Sequence, residues 1–182
     1  MSMNKEIQTL LADGNTSLAS RKKIIEQLPK EVEVISILVD FTFDSVAKVN
    51  VLASIILDDL LQVNPFLLDP YIALFIDQLP QVGDESVKRL TSKMTIVLVE
   101  KRQSLLNATL EEAILDQCLI WLTSETKVAT EANAMHIIMR LAAKFPEQAK
   151  LIAELIEVRF AAKTPAYQSK ARKLLKKVST LK

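Results

Sequence analysis

Glycine, cysteine, histidine and aromatic residues are all scarce in this chain, and each shortage excludes a class of site. Its 182 residues include two glycines, one cysteine and one histidine, and only 5% of them are aromatic. Two glycines cannot supply the glycine-rich loops that bind phosphates or dinucleotides. A single cysteine, Cys118, excludes an internal disulfide and any multi-cysteine metal site. We therefore expect neither a cofactor nor a bound metal, and this composition is typical of an all-helical protein.

Features that would direct the chain to a membrane or out of the cell are also missing. The first residues, MSMNKEIQTLLADG, are amphipathic and lack the basic start and apolar run of a signal peptide. No uninterrupted apolar stretch reaches about 18 residues, the length that a membrane span requires. The formal net charge of +1 provides no overall attraction to nucleic acid or anionic lipid. We expect a cytoplasmic protein without membrane contact.

The sequence does contain an apolar pattern of helical period that recurs every forty-one residues. In residues 124–145 the apolar positions cover one helix face and spread round its side, which leaves a narrow polar stripe. A helix of this kind is expected to pack between neighbours. The equivalent positions are Val46, Ala53, Ile55, Ile56 and Leu57, then Val87, Met94, Ile96, Val97 and Leu98, then Val128, Met135, Ile137, Ile138 and Met139.

This recurrence predicts a single all-α domain over residues 1–182, built from an N-terminal helical cap and four helix pairs. The cap spans 1–29, and Thr16 or Ser17 is expected to cap its second helix. The pairs span 30–65, 66–104, 105–145 and 146–182. Within them we predict helices over 30–42 and 46–63, 67–79 and 84–103, 109–123 and 126–144, and 147–161 and 166–180.

The turns between the paired helices are equally spaced. Asp44, Asp84, Ser124 and Thr164 stand forty residues apart, and each can accept backbone N–H groups at the start of the following helix. Thr109 is expected to cap the third pair through a capping box. A period near 40 with two helices per unit is typical of HEAT and armadillo repeats, so we predict an α-α superhelix, or solenoid. An irregular helical bundle is the alternative, and it would not require equal spacing.

A resemblance to known proteins is carried by short segments in the last third of the chain. These are Ala134-Met135-His136, Lys144-Phe145-Pro146, the run TPAYQSKAR at 164–172, and Leu174-Leu175-Lys176-Lys177. In these segments the chain resembles a group of short bacterial HEAT-like repeat proteins that often carry an adenylosuccinate lyase label. The resemblance implies the helical-repeat fold and no particular activity.

Adenylosuccinate lyase activity itself is not expected from the residues. The lyase family has a flexible serine loop of the form S-S-x-M-P-x-K-x-N, and no such motif occurs here. Its catalytic sites are built by several subunits around long helices, whereas no helix predicted in this chain exceeds about twenty residues.

No arrangement of residues predicts catalysis of another kind. The helical neighbours of His136 include no carboxylate, so we expect a partly exposed structural histidine rather than an acid–base catalyst. Two acidic pairs, Glu111-Glu112 and Glu154 with Glu157, fall in first helices and are expected to face solvent. Asp58 and Asp59 point about 100° apart on a helix and cannot converge on one atom. We therefore predict a protein that is not an enzyme and has no catalytic residues.

Charge separates between the two helices of each pair. The first helices carry more acidic than basic residues, and the second helices carry the opposite excess. In such solenoids the second helices line the concave side, which would then attract an acidic protein partner. The residues predicted to contact it are Arg89, Lys93, Arg140, Lys144, Lys170, Arg172, Lys173, Lys176 and Lys177.

Two other interpretations of this charge stay open. Most of the excess lies in the final helix, whose cations could simply be solvated and favoured by the helix dipole. Alternatively, a basic concave face could bind nucleic acid, as in HEAT-like alkylation-repair DNA glycosylases, which need aromatic side chains to hold a damaged nucleotide. Trp121 lies among apolar neighbours and is expected in the core, which disfavours that alternative. We therefore predict a non-catalytic binding module or scaffold for a protein partner.

Overall fold

The computed structural model describes residues 2–181, and this part of the chain is helical without β-strands. The prediction of an all-α fold is confirmed. The α-helices described are Met3–Ala12 (α1), Leu18–Gln27 (α2), Glu33–Phe43 (α3), Asn50–Val63 (α4), Ile72–Gln78 (α5), Glu85–Lys101 (α6), Ala108–Thr123 (α7), Val128–Leu141 (α8), Pro146–Arg159 (α9) and Pro165–Val178 (α10). Short 3₁₀ segments lie at Pro65–Tyr71, Leu79–Gln81, Gln103–Leu105 and Phe160–Ala162.

The contacts within the chain group into two compact units, Met1–Met94 (unit 1) and Thr95–Lys182 (unit 2), and the division falls inside α6. In unit 1, α3 packs on α4 and also contacts α1. In unit 2, α7 and α10 both pack on α8, and α9 packs on α10. The prediction of one repeat domain with boundaries at 29, 65, 104 and 145 stays a prediction.

The predicted helix starts hold where a side chain caps the first turn. Ser17 accepts the N–H of Ser20 at the start of α2. Asp84 lies just before α6 and accepts the N–H groups of Ser86 and Val87 at 2.8 and 3.0 Å. Thr164 is the N-cap of α10. Because each cap satisfies N–H groups that have no partner inside the helix, these starts are well defined locally.

Three other predicted caps are wrong. The carboxylate of Asp44 accepts the N–H of Val46 and closes a turn, and α4 begins only at Asn50. Lys48 has a positive φ of 55°, which ends that turn in the left-handed region.

The other two sites show why a turn residue need not cap a helix. The hydroxyl of Ser124 donates to the carbonyl of Ile120, so it closes the end of α7 rather than opening α8. The N-cap of α7 is Asn107, two residues before Thr109. Polar turn residues can bond in either direction along the chain, and the sequence spacing alone does not distinguish the two.

The apolar repeat predicts the core well. Ala53, Met94 and Met135, which occupy the same repeat position, are all fully buried. Val46 is 85% exposed because it lies in the turn before α4, and Ile55, Ile96, Val128 and Met139 are half-buried. Cys118 and Trp121 are buried on α7, as predicted. Burial raises the pKa of the Cys118 thiol, which therefore stays protonated at neutral pH.

Three acidic side chains lie in this core, and each is neutralised by a lysine more than thirty residues later. Asp58 of α4 pairs with Lys93 of α6 at 2.5 Å. Glu111 of α7 pairs with Lys144 at 2.6 Å, and Glu131 of α8 pairs with Lys163 at 2.5 Å. We call these three the buried acid–lysine pairs.

One of these pairs overturns part of the prediction that the acidic residues of the first helices face solvent. The prediction that Glu111 faces solvent is wrong, because its side chain is only 4% exposed and Lys144 reaches it from the end of α8. Glu112, Glu154 and Glu157 are exposed, as predicted.

No single helix of residues 2–181 is both long and apolar enough to cross a membrane. The segments Asn50–Val63 and Pro65–Gln81, bent by 118°, meet the length and composition criterion only when taken together.

We expect Lys93→Met to lower the free energy of unfolding by about 2 kcal/mol, because it leaves the buried carboxylate of Asp58 without its charged partner. Lys150→Met is the matched control, since Lys150 pairs with Glu147, whose side chain is 81% exposed, and its cost should stay below about 0.5 kcal/mol. Urea unfolding measures both. Equal costs for the two variants would show that the Asp58 pair does not stabilise the fold.

Candidate functional site

The nine basic residues predicted to contact a partner divide between the two units. Arg89 and Lys93 lie on the part of α6 that belongs to unit 1. The remaining seven, Arg140, Lys144, Lys170, Arg172, Lys173, Lys176 and Lys177, lie in unit 2. The basic residues of unit 1 and those of unit 2 therefore form two separate groups.

Several of the nine already contact other residues of the fold. The ammonium groups of Lys93 and Lys144 neutralise buried carboxylates. The guanidinium of Arg172 lies 5.2 Å from the centre of the Phe160 ring, a cation–π contact at the edge of unit 2. A lysine that neutralises a buried acid cannot turn to a partner without leaving that charge unpaired, so we place Lys93 and Lys144 outside the candidate site.

Two of the other residues of unit 2, Arg140 and Lys170, meet at a polar cluster that the sequence did not predict. His136 Nε2 lies 2.8 Å from Glu100 Oε1, and Arg140 Nε lies 3.3 Å from the same oxygen. On the other side of the ring, Lys170 Nζ lies 3.2 Å from His136 Nδ1. We call these four residues the histidine cluster. The helical neighbours of His136 include no carboxylate, as predicted, and Glu100 reaches the ring from a different helix, α6, thirty-six residues earlier in the chain.

The helices explain why these side chains converge. His136 and Arg140 are four residues apart on α8 and therefore share one face. On α10 the buried residues are Tyr167, Ala171, Leu174 and Val178, which places Lys170, Lys173 and Lys177 together along one flank. Because α10 packs directly on α8, this flank lies beside the exposed face of α8.

While Lys170 is charged, its contact with His136 assigns the proton of the neutral ring to one nitrogen. A lysine ammonium can only donate, so Nδ1 of His136 must accept from Lys170. The proton of the neutral ring then lies on Nε2, which donates to the Glu100 carboxylate. The cluster is thus a directional chain that runs from Lys170 through His136 to Glu100, with Arg140 as an ion-pair partner of the carboxylate.

The electrostatics of the cluster follow from this geometry. The hydrogen bond from His136 lowers the pKa of Glu100 below its ordinary value, with further lowering by the charges of Arg140 and Lys101. Partial burial lowers the pKa of Lys170, and the nearby charge of Lys173 lowers it further, while Glu100 opposes both effects. Positive charge is therefore crowded here.

A shallow pocket of about 270 Å³ opens beside the cluster. It is lined by Val99, Glu100, Gln103, Met139, Arg140 and Lys177. Lys173, Lys176 and Lys177 are exposed nearby, and we find no acidic partner for them among residues 2–181. We call Arg140, Lys170, Lys173, Lys176 and Lys177 the basic face of unit 2. Glu100 is the carboxylate that lies within it, and it is already shared by His136 and Arg140.

A larger groove of about 550 Å³ lies in unit 1, between the end of α2 and the 3₁₀ segment Pro65–Tyr71. Its lining is mainly apolar, and Val32 and Phe66 are largely exposed. Nothing in unit 1 shows what would cover this groove. Among residues 2–181, no three histidine, cysteine or acidic side chains are arranged to hold a metal ion.

The chain matches no protein-family model, no curated protein and no solved structure. The resemblance to HEAT-like repeat proteins in residues 134–177 therefore stays a prediction. The proposed function therefore rests on the geometry of the chain itself.

Glu100→Gln should destabilise the protein in a pH-dependent way. Because the folded state lowers the pKa of Glu100, its stabilisation is complete well above pH 4.5 and is lost as the pH falls through the lowered value. We expect the variant to be less stable than the wild type by under about 1 kcal/mol at pH 7, since the pair is partly exposed. The difference should shrink in urea unfolding near pH 3. A difference that does not change with pH would contradict this description of the cluster.

Proposed function

We propose that this protein is a non-catalytic binding module that recognises an acidic segment of a protein partner through the basic face of unit 2. The observation that carries the proposal is the set of exposed lysines on α10, Lys173, Lys176 and Lys177, which have no acidic partner among residues 2–181. Arg140 and Lys170 add positive charge beside them.

The distribution of charge supports an anionic ligand. Elsewhere in the fold, each of the three buried carboxylates pairs with one lysine at 2.5–2.6 Å, so the charges of these lysines are neutralised. On the basic face the cations outnumber the single carboxylate, and the charge of Lys173 adds to the effect of burial in lowering the pKa of Lys170. A row of carboxylates from a partner would relieve this repulsion, which favours association and fixes its orientation.

Burial of Trp121 and Tyr167 favours a protein partner over a nucleic acid. A glycosylase or single-strand binder stacks bases on exposed rings. Trp121 and Tyr167 are both fully buried in unit 2, and Tyr167 faces the core from α10 rather than the basic face. Phosphate contacts alone would still allow weak DNA binding, and a comparison of binding to an acidic peptide and to DNA distinguishes a protein partner from a nucleic acid.

We also propose that the helix pairs stack as HEAT- or armadillo-like repeats. Short turns join α3 to α4 and α7 to α8, and the helices of each pair pack together. Contacts also link second helices: in unit 1, α4 to α6 through Asp58 and Lys93, and in unit 2, α8 to α10 through His136 and Lys170. Contacts between successive repeat units are what stabilises a solenoid.

The binding proposal is tested with a fluorescein-labelled poly-glutamate peptide in a polarisation titration. We expect the triple variant Lys173→Glu, Lys176→Glu, Lys177→Glu to weaken binding at least about tenfold, which corresponds to about 1.4 kcal/mol. The matched control reverses three exposed lysines of unit 1, Lys5, Lys22 and Lys23, and should bind as the wild type does.

Two outcomes would overturn the proposal. Equal loss in both triple variants would show a dependence on net charge alone. Tighter binding to a DNA duplex than to the peptide at physiological salt, with a steep decline as the salt rises, would indicate nucleic acid instead.

A further inference from the structure

The contact made by Lys170 differs in kind from the other long-range lysine contacts. Lys93, Lys144 and Lys163 donate to carboxylates, which hold the ammonium group in its charged form. Lys170 donates instead to an imidazole nitrogen, which is a base able to take the proton.

The hydrogen-bond chain has the layout of an activated nucleophile. Lys170 Nζ lies 3.2 Å from His136 Nδ1, and His136 Nε2 lies 2.8 Å from Glu100 Oε1. A nucleophile within hydrogen-bond reach of a base, which is itself oriented by a third group, is the arrangement used in nucleophilic catalysis. Transfer of a proton from Nζ to Nδ1 would produce an imidazolium whose Nε2–H still donates to the Glu100 carboxylate.

The surroundings make loss of the Lys170 proton easier than for an isolated lysine. Lys170 is half-buried, and both burial and the charge of Lys173 lower its pKa, while the charge of Glu100 opposes them. The side chain of His136 is 29% exposed and Lys170 is not fully buried, so neither residue is sealed from solvent. Lysines that lose their proton in this way serve as Schiff-base nucleophiles.

We propose that Lys170 is a nucleophilic lysine that forms an imine with an aldehyde carrying an anionic group, with His136 as its base and Glu100 as a positioning residue. The ammonium of Lys170 gives one proton to His136, and the neutral nitrogen adds to the carbonyl carbon to form a carbinolamine. The proton held by His136 then assists departure of the hydroxyl as water. One ammonium and one aldehyde thus yield one protonated imine and one water, without oxidant or reductant.

The anionic group follows from the residues around the amine. Arg140, Lys173 and Lys177 lie on the same basic face, and Arg140 and Lys177 line the adjoining pocket of about 270 Å³ together with Glu100, whose charge is already shared by His136 and Arg140. A phosphate or carboxylate bound by these cations would hold the aldehyde near Nζ and raise its effective concentration.

Pyridoxal 5′-phosphate, an aldehyde with a phosphate group, is the probe for this site. The protein is incubated with a limiting amount of probe, the imine is reduced with borohydride, and modified lysines are quantified by peptide mass mapping. We expect Lys170 to be modified at least about tenfold faster than Lys144 or Lys150, whose ammonium groups pair with carboxylates. Pyridoxal without the phosphate should lose most of this preference. Modification of Lys170 at the same rate as Lys144 and Lys150 would overturn the proposal.

Two variants and one spectroscopic signal separate activation from mere exposure. His136→Gln and Glu100→Gln should each slow modification of Lys170 several-fold while Lys144 and helicity by circular dichroism are unchanged. The single histidine makes its ring ¹⁵N signals unambiguous, and they should show the Nε2–H tautomer at neutral pH. A proton on Nδ1, or unchanged modification of Lys170 in His136→Gln, would also overturn the proposal. The acidic-peptide titration is independent of this result, because its variants leave Lys170, His136 and Glu100 in place.

Discussion

The pairing of buried carboxylates with distant lysines is the constraint on which the rest of the structure depends. An isolated charge in a protein interior costs several kcal/mol, and the cost is recovered only when a partner of opposite charge lies in good geometry. Asp58, Glu111 and Glu131 each meet this requirement through a lysine thirty-two to thirty-five residues later. Each pair therefore fixes the position of one segment against another. Apolar packing alone is less specific, because many arrangements bury similar area.

Much of the fold could be predicted because the apolar period is a property of single helices. The repeat position shared by Ala53, Met94 and Met135 is buried throughout, and α2 begins directly after Ser17, one of the two residues predicted to cap it. The turns were less predictable. Asp44 and Ser124 occupy the expected positions, but their side chains close turns or helix ends instead of opening helices. Polar turn residues have several local hydrogen bonds available, and the choice depends on the geometry of the following segment.

The site was predicted only in part, for a physical reason. Helical periodicity shows which residues share a face of one helix, so it placed His136 and Arg140 together. It does not show which residue of another helix will face them, and so it missed Glu100 as the partner of His136. It also could not separate lysines that neutralise buried acids, such as Lys144, from exposed ones such as Lys177. A buried acid in an apolar pattern, as at Glu131, is the one signal in the sequence that points to such a pair.

The most direct test of this account is a double-mutant cycle on the most deeply buried pair, with Glu131→Leu, Lys163→Met and the two combined, followed by urea unfolding. The side chains are 1% and 22% exposed, so the pair is largely removed from solvent. We expect each single variant to be strongly destabilising and the double variant to recover much of the loss, with a coupling energy of at least about 1.5 kcal/mol. Additive effects, with a coupling energy indistinguishable from zero, would contradict the claim that these pairs hold the helices in place.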